Sequence, residues 1–191
     1  MKKILIINGH PSKESFSLKL AKSYLSGAKK SGADVKELHL KDLRFDPILH
    51  EGYQKIQALE PDLERSQELI KWADHLVVFA PVWWNNMPAL LKGFIDRVFL
   101  PGFAFKFTGT FKREKYLTGK TARLILTTGA PALVYRIIMQ SPVEAIFGKG
   151  VFKFCGIRMK TSIVIGNAEK LKPNQRQAWV DKIKKIGERN K

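Results

Sequence analysis

Ten residues, Ala80-Pro81-Val82-Trp83-Trp84-Asn85-Asn86-Met87-Pro88-Ala89, connect an apolar run at 75–79 to an apolar helical pattern at 90–99. Two adjacent tryptophans followed by two asparagines are unusual where a buried strand ends and a helix begins, because a simple connection needs neither. In open α/β sheets, ligands bind at the carboxyl ends of the strands. Large rings beside exposed backbone amides suit a flat, partly polar aromatic ligand. The stretch therefore predicts a strand, a binding loop and a helix in succession.

Length and composition are those of one α/β domain spanning residues 1–191. Since 45% of the 191 residues are hydrophobic and 27% are charged, the chain can bury one core. The longest apolar segment, 76–91, is broken by two prolines and two asparagines, so we expect no membrane-spanning helix. The run at 4–7 is too short for the core of a signal peptide. Because Cys155 is the single cysteine and lies in no Cys/His cluster, we expect no disulfide, no metal site and a reducing, cytoplasmic location.

The charge balance is strongly basic. Lys and Arg number 34 against 17 Asp and Glu, which gives a formal net charge of +17, and the regions 106–123 and 170–191 are rich in cations. Such a field attracts polyanions and phosphorylated small molecules. The alternative is a solvated basic surface, and we adopt it here. Because no helix-turn-helix, zinc finger or RNA-binding signature is present, we expect no sequence-specific nucleic-acid partner.

Strand and helix patterns alternate from end to end. We predict strands at 4–7, near 35–40, at 76–79, at 123–127 and near 162–165, with helices over 15–30, over 61–72 and after Pro88, Pro142 and Pro173. Alternating units imply a parallel sheet with right-handed crossovers. Five strands fit a flavodoxin-like order better than a six-stranded dinucleotide fold. The predicted class is α/β, a flavodoxin-like five-stranded parallel sheet with helices on both faces, interrupted by a long excursion at 100–120.

The loop after the first strand, residues 8–17, has the features of a phosphate-binding site. It leads into a helix whose free N–H groups and positive end favour anions, and Ser12, Ser15 and Ser17 add further donors. Alternatively, Ser15 only caps the helix and His10 is structural. Because the loop has neither a P-loop nor a G-x-G-x-x-G pattern, it disfavours ATP hydrolysis and a Rossmann-type grip.

The loops after the third and fourth strands meet the first loop at the same edge of such a sheet. Trp83 and Trp84 cannot both face inward in an extended segment, so at least one meets solvent, ligand or another subunit. The alternative is that both pack against a helix. Residues 127–130 offer hydroxyls and backbone amides to the edge of a ring, or form an ordinary turn. Taken together, the three loops lead us to the hypothesis that the ligand is a flavin.

A set of short motifs gives the chain a specific resemblance. These are Gly9-His10-Pro11 with Ser15-Phe16-Ser17, Trp72-Ala73-Asp74, Pro81 with Trp83-Trp84, Met87-Pro88-Ala89, Leu91-Lys92-Gly93, Asp96-Arg97-Val98-Phe99, Gly102-Phe103-Ala104-Phe105, and Thr127-Thr128-Gly129 with Tyr135. Over roughly 4–166 the chain resembles the flavodoxin-like NAD(P)H:quinone oxidoreductase family. That family includes DT-diaphorase-type enzymes, bacterial modulators of drug activity and ancillary reductases of potassium-efflux systems.

The resemblance implies a set of site residues. Around the flavin phosphates it implies His10, Ser15, Phe16 and Ser17; along one side of the ring Pro81, Val82, Trp83, Trp84 and Asn85; and at the pyrimidine edge Thr127, Thr128, Gly129 and Ala130. It implies a catalytic Tyr135 near the N1/O2 side of the ring, where charge arrives on reduction. Hydride chemistry belongs to the cofactor, and protein groups orient it.

The chain departs from this family at several of these positions. Ser141 stands where DT-diaphorase-type enzymes have a histidine six residues after the tyrosine, so the acid–base pair is incomplete. Ala130 replaces a second glycine. Phe105 and Phe107 replace tyrosines over the substrate pocket, which removes two hydroxyls. The substrate preference of those enzymes therefore does not transfer to this chain.

The functional prediction is a ping-pong reductase. NAD(P)H would reduce a bound FAD or FMN, with FAD slightly favoured, and a quinone or similar flat acceptor would then take its place. The resemblance implies a homodimer with the flavin at the interface, to which Phe103, Phe105, Phe107 and Phe111 of the neighbour contribute; alternatively they form a small second core. Two other classes stay open: a one-electron flavodoxin-type carrier, and a flavin-binding regulatory subunit that contacts a membrane transporter through the basic C-terminal helix.

Overall fold

A computed structural model describes residues 1–110 and 112–189. The strands are β1 (Lys3–Asn8), β2 (Asp34–His39), β3 (His75–Pro81), β4 (Phe105–Phe107), β5 (Arg113–Lys115), β6 (Thr121–Thr127), β7 (Arg158–Met159) and β8 (Ile163–Ile165). The helices are α1 (Phe16–Lys30), α2 (Pro61–Trp72), α3 (Ala89–Val98), α4 (Ala132–Ile137), α5 (Pro142–Ala145), α6 (Lys153–Cys155) and α7 (Pro173–Glu188). A 3-10 turn covers Leu40–Asp42, and a π-helical segment, Ile146–Phe152, joins α5 to α6.

The main sheet is parallel and has five positions in the order β2-β1-β3-β6 and then β7 with β8. β7 pairs with the start of β6, at Thr121 and Ala122, and β8 pairs with its end, from Ile125 to Thr127. The two short strands therefore share one position, as a single interrupted strand does. This order confirms the predicted flavodoxin-like α/β class, in which the carboxyl ends of β1, β3 and β6 lie side by side.

Helices cover both faces of the sheet because side chains alternate along each strand. Ile4 and Ile6 pack with α1 and α7, whereas Leu5 and Ile7 pack with α2, α3 and the segment 142–155. On the first face, α1 and α7 approach so closely that a Cβ at Gly27 would lie 2.0 Å from the carbonyl oxygen of Lys184. Glycine is required there for the backbones to touch.

The predicted helices at 15–30, at 61–72 and after Pro88, Pro142 and Pro173 are confirmed within one or two residues of their starts. The sequence prediction missed α4 and the antiparallel hairpin of β4 and β5, which lies inside the excursion at 100–120. Both are short, and strands of three residues are too brief for a period of two to emerge. Over the described part of the chain, no helix combines the length and apolar character needed to cross a bilayer.

Arg97 shows that one of the motifs on which the resemblance rests is structural. Its side chain is fully buried, and its guanidinium donates to the Glu60 carboxylate at 2.9 Å and to the carbonyl of Ala58 at 2.8 Å. It also donates to the carbonyl of Asp46. These contacts hold the long segment between β2 and α2 against α3, on the side of the sheet away from α1.

Candidate functional site

The three predicted loops converge on a cleft of about 170 Å³ at the carboxyl edge of the sheet. The cleft is lined by His10, Phe16, Ser17, Pro81, Val82, Trp83, Thr127, Thr128, Gly129, Ala168, Glu169 and Arg176. An adjoining cavity of about 370 Å³ shares Val82, Thr128 and Gly129 with it and adds Trp84, Asn85, Ala130 and Met139. Of the fourteen positions given under the resemblance, the structure brings twelve to these two cavities; Ser15 and Tyr135 are the exceptions, and Ser12, the further donor of the first loop, lines neither cavity.

The tryptophan segment is a two-residue hairpin turn. Trp83 and Asn86 exchange backbone hydrogen bonds of 2.8 and 2.9 Å, and the central residues Trp84 and Asn85 have φ values of 49° and 59°. Positive φ at both central positions is the type I′ geometry, which favours Asn and Gly and costs energy for a bulky residue such as tryptophan. The peptide groups of the two central residues are not used by the turn itself.

Both indole rings consequently point out of the core. The exposure of at least one tryptophan was predicted from the alternation of side chains in an extended segment, but the structure shows that the turn is the cause. Trp84 is 101% exposed and Trp83 is 45% exposed. The Trp83 ring meets the His10 ring edge-on, with centroids 5.5 Å apart. The turn thus holds one ring against the first loop and extends the other over the adjoining cavity.

His10 is held in one tautomer. Its Nδ1 accepts a hydrogen bond of 3.0 Å from the backbone N–H of Ser12, so the proton of the neutral ring is on Nε2. Burial lowers the pKa of His10 below its usual value, which keeps the ring neutral near pH 7. His10 therefore offers the cleft an N–H donor without a full charge.

The start of α1 supplies the floor of the cleft. Ser15 is the N-cap: its Oγ accepts from the backbone N–H of Leu18 at 3.1 Å. The structure shows this capping role, which is one of the two interpretations of Ser15, and the phosphate contact implied by the resemblance stays a prediction. Ser17 is buried and Phe16 half-buried, and both line the cleft beside the positive end of the helix.

The third loop is shaped by contacts with the segment that follows β8. Thr128 accepts a hydrogen bond from the Ala130 N–H on its Oγ1 and another from the Ala168 N–H on its carbonyl. A Cβ at Gly166 would lie 2.2 Å from the backbone nitrogen of Ala132, so the two segments touch through backbone. By contrast, a Cβ at Gly129 would meet nothing within 4 Å, because Gly129 faces the cavities.

Arg176, in the first turn of α7, lines the cleft and was missed by the sequence prediction. Its guanidinium lies 5.1 Å from the centre of the Phe16 ring and donates to the carbonyls of Ala168, Glu169 and Leu171. Those bonds fix a cation at the edge of the cleft. The sequence does not distinguish Arg176 as a site residue, because it is one of many basic residues at 170–191 and is remote in sequence from the three loops.

Tyr135 does not reach the cleft. Its side chain is fully buried; the hydroxyl donates to Glu144 Oε2 at 2.8 Å and accepts from the Val143 N–H at 3.3 Å. Burial and the neighbouring carboxylate raise the pKa of Tyr135 far above its usual value. Tyr135 therefore lines neither cavity, and its catalytic role stays a prediction. Ser141 has φ 49° and forms the tight turn that brings Glu144 to the tyrosine.

The phenylalanines at 103–107 divide between core and surface. Phe103 and Phe105 are buried in the same core as Leu5 and Ile7 and form no separate small core, whereas Phe107 is 58% exposed; Phe111 lies outside the described residues. Phe105 packs edge-on against Phe154, with ring centres 4.8 Å apart. These rings border a third cavity, the aromatic cavity, of about 500 Å³. Its lining comprises Tyr53, Lys92, Ile95, Asp96, Phe99, Pro101, Phe105, Phe107, Ile146, Gly150, Val151, Phe154 and Cys155.

Comparison with known proteins agrees with this geometry. A family model described as a flavodoxin-like fold matches residues 2–188. The chain belongs to the flavodoxin-like NAD(P)H:quinone oxidoreductase family. It is 29% identical over 217 residues to ribosyldihydronicotinamide dehydrogenase [quinone] of Mus musculus, with 97% of this chain and 92% of the relative covered.

Two solved structures share the fold. NAD(P)H:quinone oxidoreductase from Methanothermobacter marburgensis superposes with a TM-score of 0.86 at 21% identity, covering 100% of this chain and 99% of that one. An FMN-dependent NADH-azoreductase from Bacillus anthracis, solved in complex with FMN, gives 0.73 at 22% identity, covering 99% of both chains.

Proposed function

We propose that this protein is a flavin-dependent NAD(P)H oxidoreductase that acts on a quinone or a similar flat electron acceptor. The observation that carries the proposal is the cleft between three loops, in which a type I′ turn presents two indole rings beside backbone amides. Membership of the flavodoxin-like NAD(P)H:quinone oxidoreductase family supports the same assignment.

The residues of the cleft fit a flavin. A flavin ring needs an open stretch of backbone to lie against. Gly129 offers one, because a Cβ built on this residue would meet no atom within 4 Å. A phosphate needs donors and positive potential, and these come from His10 Nε2, from the N-terminus of α1 and from the fixed guanidinium of Arg176. The Trp84–Asn85 turn adds peptide groups that its own hydrogen bonds leave unused.

When bound, the flavin would supply the hydride chemistry between NAD(P)H and the acceptor. The role of the chain is to bind, orient and shield. His10, Phe16, Ser17 and Arg176 would hold the phosphate end, and the turn and the third loop would hold the ring. The hydroxyl of Tyr135 is engaged by Glu144, so we assign this chain no protein acid at the ring.

For the cofactor we propose FAD in preference to FMN. The lining of the cleft extends beyond His10 and Ser17 to Ala168, Glu169 and Arg176, and the Arg176 guanidinium is a cation that a second phosphate would need. The Bacillus anthracis neighbour was solved with FMN, so FMN is the specific competitor. Acid release of the cofactor from purified protein, followed by mass measurement, distinguishes the two.

We also propose a homodimer and a cytoplasmic location. The aromatic cavity, bordered by Phe105, Phe107 and Phe154, is a surface of the kind that a second subunit covers. Replacing the exposed Phe107 by Ser should shift the sedimentation of the protein towards a monomer. An unchanged dimer would remove this surface from the subunit contact.

The central test is cofactor retention together with turnover. Purified protein should be yellow and should oxidise NADH or NADPH rapidly when menadione is added, which a one-electron carrier would not do. Trp83→Ala and Asn85→Ala should each weaken flavin binding on the order of 10-fold, because Trp83 lines the cleft and Asn85 lines the adjoining cavity. Reconstituted protein that binds neither FMN nor FAD would overturn the proposal.

Tyr135→Phe distinguishes the structural role that the hydrogen bonds of Tyr135 indicate from the catalytic role that the resemblance implies. A tyrosine that stabilised charge on the ring would slow single-turnover reduction when it lost its hydroxyl. Because the hydroxyl is hydrogen-bonded to Glu144 in the interior, we expect an unchanged rate and a loss of about 1 kcal/mol in the free energy of unfolding. A slower single turnover with unchanged stability would restore Tyr135 to the site.

A further inference from the structure

The outer surface of α4 carries an apolar patch that the proposed chemistry does not use. Leu133, Ile137 and Ile138 are 69%, 67% and 74% exposed, and we call these three residues the α4 patch. Leu133 and Ile137 are one helical turn apart and share a face. The patch lies beside the candidate site, because Met139, the next residue, lines the same cavity as Trp84.

The other flank of α4 is cationic. A groove of about 380 Å³ runs between α4, β8 and α7 and includes Arg123, Arg136 and Lys182 among its lining residues. Lys182 lies 4.5 Å above the Trp179 ring, which also lines the groove. The Nε of Arg123 is buried and makes no hydrogen bond within the described residues. We call this feature the cationic groove.

We propose that the α4 patch and the cationic groove together dock the protein on an anionic phospholipid bilayer. Exposed aliphatic side chains enter the boundary between head groups and acyl chains, and neighbouring cations bind lipid phosphates. A tryptophan at that level has an apolar body and a polar edge suited to the interface. The net charge of +17 attracts the protein to such a surface over a longer range.

Charge favours lipid over a second copy of the chain as the occupant. A second copy docked on this surface through the same surface would bring Arg136 and Lys182 of both copies together, so that contact meets local repulsion, whereas anionic lipid meets attraction. The other exposed aliphatic residues, Ile48 and Ile56, lie in the segment 34–68, which has nine acidic and five basic residues. That segment provides a matched surface that an anionic bilayer repels.

The functional consequence rests on the proposed reductase function. Docking through α4 would bring the edge of the cleft to the lipid surface, where apolar acceptors with long hydrocarbon tails are dissolved. The docking itself is measured without turnover, so it can fail while the reductase assignment stands, and the reverse also holds.

The experiment is flotation of flavin-loaded full-length protein with vesicles. One set consists of phosphatidylcholine alone and the other of equal parts phosphatidylcholine and phosphatidylglycerol. We expect binding to the mixed vesicles, little binding to phosphatidylcholine alone, and release from the mixed vesicles at high salt. Equal binding to both sets, or to neither, would overturn the proposal.

Two pairs of double variants locate the surface. Leu133→Gln with Ile137→Gln should weaken binding to mixed vesicles on the order of 10- to 100-fold, whereas Ile48→Gln with Ile56→Gln should change it less than about 3-fold. Gln suits a helix, so α4 should persist. Arg136→Gln with Lys182→Gln should weaken binding about 10-fold or more, whereas Lys19→Gln with Lys22→Gln on α1 removes the same charge and should cost less.

Three results would overturn the assignment. Equal losses in each designed pair and its control would mean attraction by net charge alone. Sedimentation showing that Leu133→Gln with Ile137→Gln turns a dimer into a monomer would make the patch a subunit contact. Retention of a single-stranded oligonucleotide through Arg136 and Lys182, without vesicle binding, would replace lipid by nucleic acid.

Discussion

At the amino ends of its strands the sheet is tied together by side-chain hydrogen bonds, whereas at the carboxyl ends its loops expose rings and peptide groups. Lys120 Nζ donates to the carbonyls of Lys71 and Ala73 at 2.6 Å each, and the ring of His75 lies 2.8 Å from the Thr121 hydroxyl. At the other end, the fully exposed Trp84 is held at positive φ. The same five-position sheet therefore has one end built for stability and one end built for binding.

The difference is physical in origin. Loops that follow parallel strands carry free N–H groups and the positive ends of helices, both of which attract ligands. Loops that precede the strands present carbonyl groups from helix C-termini, and Lys120 satisfies two of them at the end of α2. Four substitutions test whether the two ends are separable in this way.

The largest effect is expected where the carboxyl end depends on backbone contact. Gly166→Ala places a methyl group 2.2 Å from the backbone nitrogen of Ala132, so the third loop must move. We expect flavin affinity to fall on the order of 10- to 100-fold. Gly150→Ala, where nothing lies within 4 Å, is the control, and flavin titration by fluorescence is the measurement. Equal affinity of both variants would contradict the contact.

The second prediction concerns pH and the amino end. Burial lowers the pKa of His75 from 6.5 to about 3, so between these values the unfolded chain binds a proton that the folded protein excludes. Stability is therefore lost as the pH falls through this window, by up to about 1.4 kcal/mol per pH unit from this residue.

His75→Asn tests that slope. Urea unfolding of both proteins across the window should show a shallower dependence on pH in the variant, because its side chain does not titrate. Flavin affinity at neutral pH should be the same in both. Identical slopes would mean that His75 is more accessible to protons than its burial indicates.

Lys120→Met is the third test and separates stability from binding. It removes two hydrogen bonds to carbonyls at the end of α2, and we expect a loss of about 1–2 kcal/mol in the free energy of unfolding. Flavin affinity should not change. Lys19→Met on the exposed side of α1 is the matched control, expected within about 0.5 kcal/mol of the wild type. Weaker flavin binding by the Lys120 variant would show that the two ends are coupled.

The smallest effect is a gain in stability at the binding end. Trp84→Asn puts a residue favoured in type I′ turns at φ 49°, and the exposed ring loses no packing in the interior. We expect the apoprotein to gain about 0.5–1 kcal/mol in unfolding free energy and to bind flavin more weakly. A variant that is less stable, or that binds flavin as tightly as the wild type, would show that the tryptophan is not retained for the ligand.

Elements that depend on local patterns could be predicted from the sequence. Apolar runs bounded by Gly, Pro and Asn predicted five of the six strands of the main sheet, all but β7, and proline positions predicted the starts of three helices. The split of the last strand into β7 and β8 was not predicted, because it depends on how the chain at 160–162 leaves the edge of β6. The hairpin of β4 and β5 was missed since each strand has three residues.

By itself, the sequence determined the α/β class, the order of its units and the three loops that meet at one edge, because period and punctuation are local properties of a chain. Only the tertiary structure decided that Trp84 occupies a strained turn, that Arg176 reaches the cleft from α7, and that Tyr135 turns inward to Glu144. Each of these depends on contacts between segments far apart in sequence. No local pattern in the sequence encodes such contacts, because they depend on how the elements pack against one another.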